Sequence, residues 1–159
     1  MHKAPKLLAV IDYQNDFVTG SLGFEGAAAI DDGIARLAQT YLAQGDHVLF
    51  TYDTHDDTYL ETREGRALPI PHCNPNETGW RLYGKTQELC CETCANHQIH
   101  TVCKHTFGMP PSELVKLGKE LPGLREIMVV GVVTNMCVMS NAVLLQAQWP
   151  EAQITVDAA

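Results

Sequence analysis

Cys137 stands where an apolar, β-branched run breaks: VVGVVTNMCVMSN passes from valines through Thr134 and Asn135 into a new apolar pattern. Threonine and asparagine favour turns and helix starts. A thiol at a helix start faces unpaired backbone N–H groups and the positive end of the helix dipole, and both favour thiolate over thiol. The same N–H groups can hold an oxyanion. A nucleophile also needs a base and a group that holds developing charge. Asp12 and Lys104, each closing another apolar run, are of the right types. On position alone, Cys137 is equally a small buried hydrophobe, as many reduced cysteines are.

A second group could hold a metal. TYDTHDD places Asp53 and His55 two residues apart, so that both project to one face of an extended chain, and RALPIPHC supplies His72. Two imidazoles and a carboxylate suit a borderline divalent ion such as Zn²⁺, Mn²⁺ or Fe²⁺. A solvated loop with incidental histidines would use the same residues. CCETCANHQIH offers Cys91-x-x-Cys94 with His97 and His100 downstream, which is also a zinc-like spacing. That segment overlaps a helical pattern in which Cys90 and Cys94 share a face, so packing is the expected role. It does not open a helix after a strand, as a redox CxxC does.

The elements that must position these residues alternate. Strands are expected over residues 7–11, 47–52, 99–104 and 127–133, with a fifth beginning at 154–156. Helices are expected over 27–43, 86–97, 111–121 and 135–148, and a long loop over 54–83. Gly45 is a helix stop, Pro111 suits a first turn, and Trp149-Pro150 ends the last helix. Strands alternating with helices give an α/β fold with a mainly parallel sheet. Asp12, Asp53, Lys104 and Thr134 then fall at the C-terminal ends of four strands, the edge where such sheets bind ligands.

The 159 residues, 45% of them hydrophobic, fit one domain with a real core. A net charge of -8 argues against nucleic acid or an anionic membrane as partner. No apolar run approaches the roughly 18 residues of a membrane span. The opening MHKAPKLLAVIDYQNDF lacks the apolar core and cleavage site of a signal peptide, so a cytoplasmic protein is expected. Its six cysteines are then reduced thiols.

Three blocks carry a family likeness. VIDYQNDF at 10–17, VCKHTF at 102–107 and GVVTNMCV at 131–138 together resemble the cysteine hydrolases of the isochorismatase-like superfamily, over about Leu7 to Ala158. The resemblance implies a three-layer α-β-α, Rossmann-like fold around a central, mainly parallel sheet. It implies Asp12, Lys104 and Cys137 as the catalytic set. It also implies a cis peptide at Val132–Val133, with the N–H groups of Val133 and Cys137 as oxyanion donors. In the nicotinamidase branch, Asp-x-His followed by Pro-His binds a metal that holds the ring nitrogen of the substrate. This makes Asp53, His55 and His72 ligands here, with Glu64 the best match for a further one. Those enzymes often carry an aromatic wall for the ring just before this histidine. Here the segment is Leu68-Pro69-Ile70-Pro71, so the wall is expected from Phe17, Phe107 or Tyr13.

The function implied is an amidohydrolase that cleaves a small, nicotinamide-like carboxamide to acid and ammonia through a cysteine thioester. It would use a divalent metal and no organic cofactor. The alternatives are a metal-independent amidase of the superfamily, acting on a carbamoyl or maleamate-like compound, and a non-catalytic thiol-bearing module. Isochorismate hydrolysis fits less well, because those enzymes lack the nucleophilic cysteine. The family domain continues with a helix and often a sixth strand after the point where ITVDAA ends this chain. One domain over 1–159 lacking its C-terminal end is therefore expected, with a sheet edge that a second subunit of a homo-oligomer would cover.

Overall fold

The computed structural model describes residues 4–93 and 95–157. Five short runs rich in branched residues form the strands β1 (Lys6–Ile11), β2 (His47–Asp53), β3 (Ile99–Lys104), β4 (Glu126–Gly131) and β5 (Gln153–Val156). All pair in parallel, in the order β3-β2-β1-β4-β5. The helices are α1 (Asn15–Val18), α2 (Asp31–Ala43), α3 (Arg63–Ala67), α4 (Gly84–Thr93), α5 (Pro111–Glu120) and α6 (Met139–Gln148).

Strand alternation sorts the core into two halves. Leu7, Ala9 and Ile11 of β1 pack with Leu114 and Leu117 of α5 and Leu145 of α6. Leu8 and Val10 pack with Ile34 and Ala38 of α2 and Leu89 of α4 on the other face. This is the expected three-layer α-β-α arrangement. Burial of each large aliphatic side chain contributes about 1.5–3 kcal/mol, so the fully buried central strand is the main anchor of both layers. No helix among the described residues is long and apolar enough to cross a membrane.

The chain leaves β1 toward α2 on one face and leaves β4 toward α6 on the other. These two strands are neighbours, so a crevice opens beyond their C-terminal ends. Gly131 sets its depth. It has φ +114°, and a Cβ there would lie 2.1 Å from the carbonyl oxygen of Ile11. Only glycine permits this approach, in which Val132 N–H donates to the same oxygen at 3.0 Å.

Two boundaries differ from expectation for this reason. The fourth strand ends at Gly131 rather than at residue 133, and the Val132–Val133 peptide is cis. The helix expected from residue 135 begins instead as a π-helical turn, Thr134–Val138, before α6. The expected loop over 54–83 also has internal order. It contains α3, capped by Thr62 Oγ1 accepting Gly65 N–H at 2.9 Å, and single turns at Tyr59–Glu61 and Thr78–Trp80.

Candidate active site

Asp12, the first residue after β1, is fully buried and has φ +46°, a conformation that aspartate tolerates better than most residues. Thr51 of β2 pins it. The Asp12 N–H donates to Thr51 Oγ1 at 3.1 Å, and the Thr51 hydroxyl donates to Asp12 Oδ1 at 2.6 Å. The other oxygen, Oδ2, faces Lys104 Nζ at 2.6 Å. The same Lys104 Nζ reaches Asp53 Oδ1 at 3.2 Å, Thr106 O at 3.0 Å and Cys137 Sγ at 3.8 Å. Asp12 thus lies in a buried ion pair beside the Cys137 thiol, with which it also interacts.

The charges follow from burial. Burial pushes the Asp12 carboxyl above its ordinary value; the Lys104 ammonium opposes this, and Asp53 adds to it. Burial disfavours the charged form of Lys104, but Asp12 and Asp53 outweigh it and keep the amine protonated. Burial also pushes the Cys137 thiol up, Asp12 adds to this, and Lys104 works against it. Cys137 lies 4% exposed inside a π-helical turn, so burial works against the thiolate that the helix start favours. Asp12 is the carboxylate beside it.

Three supporting residues escaped the sequence reading. Gln14 joins the ends of β1 and β2: its Nε2 donates to Asp53 O at 2.9 Å, and its Oε1 accepts from Asp53 N–H at 2.7 Å. Thr51 holds Asp12. Asn141 accepts from Met109 N–H and donates to Phe107 O and Cys137 O, tying the loop after β3 to the thiol-bearing turn. Buried amides and hydroxyls of this kind carry no sequence period, and apart from Cys137 O the partners named lie 32 to 39 residues away.

The metal-type residues converge as well. One ligand atom from each of Asp53, His55, Glu64 and His72 lies within 4.8 Å of all the others, and this buried to half-buried set could hold a metal ion. Asp53 Oδ2 lies 3.0 Å from His55 Nε2 and 3.3 Å from His72 Nε2, and Glu64 Oε1 is 3.7 Å from His55 Nε2. The short helix α3 carries Glu64 into place. His72 Nδ1–H donates to Ile70 O at 2.7 Å, which leaves Nε2 as the ligand nitrogen turned to the cluster. Burial opposes charge on Asp53, but the adjacent His55 and His72 imidazoles and the Lys104 ammonium dominate and hold its carboxyl well below the usual range. Two imidazole nitrogens and two carboxylates, packed this closely and shielded from water, fit a divalent metal by donor chemistry.

Cys137 and three of the metal-type residues, Asp53, Glu64 and His72, line one cavity of about 940 Å³, together with Phe107 and Val133. Phe17 lines it too and meets the His72 ring edge-on at 5.5 Å between centroids. Tyr13 does not. The turn at Asp12 sends Tyr13 inward, where its hydroxyl donates to Ala27 O at 2.7 Å and its ring packs against Tyr83. It belongs to the core. Of the cysteine-rich segment, Cys90 is buried in the second core cluster and Cys91 is exposed, while Cys94 lies outside the described residues.

A model of the isochorismatase domain matches residues 6–147. A Bacillus subtilis (strain 168) protein, described as the uncharacterized isochorismatase family protein PncA, is 30% identical over 141 residues, 87% of this chain and 76% of that protein. The crystal structure of nicotinamidase PncA from Bacillus subtilis superposes with a TM-score of 0.82 at 30% identity, covering 95% of this chain and 82% of the other. The pyrazinamidase/nicotinamidase from Streptococcus mutans UA159 gives a TM-score of 0.80 at 25% identity, over 95% of this chain and 83% of that one.

Proposed function

Because the chain belongs to the isochorismatase family, we propose that it is a metal-assisted cysteine amidohydrolase acting on a small, nicotinamide-like carboxamide. The observation that carries this reading is the shared cavity: Cys137, backed by buried Asp12 and Lys104, and three members of the two-histidine, two-carboxylate cluster, Asp53, Glu64 and His72, line the same space. Relatives titled nicotinamidase at 25–30% identity support the substrate class. The cluster favours this reading over the metal-independent amidases and over a non-catalytic module.

Asp12 Oδ2 takes the proton from Cys137 Sγ, and the sulfur attacks the amide carbon. Lys104, fixed by Asp53 and Thr106, holds its positive charge beside both groups during the transfer. The N–H groups of Val133 and Cys137 stabilise the oxyanion of the tetrahedral adduct. When the C–N bond breaks, Asp12 returns the proton to the leaving nitrogen and ammonia departs, leaving a thioester. Water then gives a proton to Asp12 and attacks the acyl carbon. The thiolate leaves and is reprotonated, and the acid is released. Asp53, His55, Glu64 and His72 would hold Zn²⁺, Mn²⁺ or Fe²⁺, which when bound supplies an electron-pair acceptor for a ring nitrogen. Phe17 and Phe107 supply apolar walls for the ring.

Ammonia release from a panel of amides tests the reading. Nicotinamide and pyrazinamide should be hydrolysed, and carbamoyl and maleamate-type amides much more slowly. A preference for the second pair would move the protein to the metal-independent amidases.

A further inference from the structure

At the opposite end of the sheet, the N-terminal ends of β2 and β3 and the face of α5 enclose a second cavity of about 550 Å³, with His47, His97, His100 and Glu120 on its wall. His47 opens β2, and His100 lies on the neighbouring strand opposite Leu49, which places the two imidazoles on one face, diagonal to each other. His47 Nδ1 and His100 Nε2 share a hydrogen bond at 3.2 Å, with ring centroids at 5.3 Å. His100 Nδ1–H is directed at Glu120 Oε2, also at 3.2 Å, so Nε2 is the acceptor nitrogen of that ring, which a metal ion would take in place of the His47 Nδ1–H.

We propose that His47 Nδ1 and His100 Nε2 form a second divalent metal site, for Zn²⁺, Ni²⁺ or Cu²⁺, with Glu120 as the carboxylate behind His100 and His97 or water completing the coordination. Three features carry it. Two nitrogens bound at about 2.0–2.1 Å to one tetrahedral ion are about 3.3 Å apart, close to the observed separation. The carboxylate–histidine pair fixes the tautomer and raises the basicity of the ligand nitrogen, as outer-shell carboxylates do at metal sites. Imidazole ligands without thiolates suit these borderline ions, and the carboxylates of Glu113 and Glu120 offset the nearby Lys116 ammonium. His100 of the zinc-like segment thus finds its imidazole partner on a different strand, at His47 of β2. The site is separate from the catalytic cavity and does not rest on the proposed reaction.

The test is zinc titration of the full chain, wild type against His47→Gln and His100→Gln, with a coloured chelator as competitor. Each variant should bind about one equivalent less than wild type while keeping its amidase rate, and Glu120→Gln should keep the equivalent but bind it about tenfold more weakly. If the Asp53 cluster held no metal, total uptake would fall but the His47- and His100-dependent equivalent would remain. Long-range ¹H–¹⁵N spectra of wild-type imidazoles give a reading free of any folding defect in the variants. Saturating zinc should shift His47 Nδ1 and His100 Nε2. Unchanged shifts at those nitrogens, or equal zinc uptake by all three proteins, would overturn the proposal.

Discussion

Lys104 Nζ and Asp53 Oδ1 lie 3.2 Å apart, both buried, and the other oxygen of Asp53 lies 3.0 Å from His55 Nε2. One carboxylate therefore serves two groups. It helps hold the ammonium that steadies Asp12 and Cys137, and it stands at the centre of the metal-type cluster. A buried charge that loses its partner is strongly destabilising, so neither task can be changed without disturbing the other.

Cys137→Ala should abolish amide hydrolysis and leave the fold intact, since it removes the nucleophile and little volume. Far-ultraviolet circular dichroism and an ammonia assay read the two effects separately. A variant within about tenfold of wild type, a difference of only about 1.4 kcal/mol in the barrier, would exclude a thioester route.

Asp12→Asn should lower the rate by about 10²-fold or more, the ordinary contribution of a general base. The wild-type rate should fall on the acid side as Asp12 takes up a proton. Because burial raises this carboxyl above 3.8, the limb should lie at higher pH than an exposed aspartate would give. In the variant that limb should be missing from the profile of kcat/KM. Its survival unchanged would assign the base elsewhere.

His55→Ala should strip most of the bound metal, because loss of one ligand weakens such a site greatly. Nicotinamide hydrolysis should fall in step with metal content, while alkylation of Cys137 by iodoacetamide continues. Elemental analysis and mass spectrometry follow the two quantities. Hydrolysis that resists chelators would remove the metal from the reaction.

The aromatic residues divide by the same logic. Phe107→Ala should raise KM by taking away cavity wall. Tyr13→Phe should leave kcat and KM unchanged and cost about 1–3 kcal/mol of stability, because it leaves Ala27 O without its buried donor. An effect of Tyr13→Phe on KM would return that ring to the substrate.

The convergence of the proposed catalytic positions was legible because Asp12 and Lys104 close strands and Cys137 follows the end of another, and a parallel sheet carries every such end to one edge. Asp12, Lys104 and Cys137 were proposed from the strand pattern and the family likeness. Tyr13 was misplaced because adjacency to Asp12 says nothing of a backbone turn with positive φ, which reverses the direction of the next side chain. Helix α3 was unreadable for another reason. Its five residues show no apolar period, and it is held by a cap and by the close approach of Gly65 to Tyr59. The π-helical turn at Cys137 likewise depends on how β4 ends, which is a property of its contact with β1.

That contact sets a limit on how this hydrolase can diversify. The approach of Gly131 to Ile11 is main chain on main chain, so no larger or smaller side chain can adjust the gap between the strand that carries the base and the strand that leads to the thiol. A saturation library should return glycine alone at position 131, while Phe17, Leu68 and Phe107 tolerate exchange. New amide preferences are then reachable by repapering the cavity, with the spacing of the reacting groups inherited unchanged.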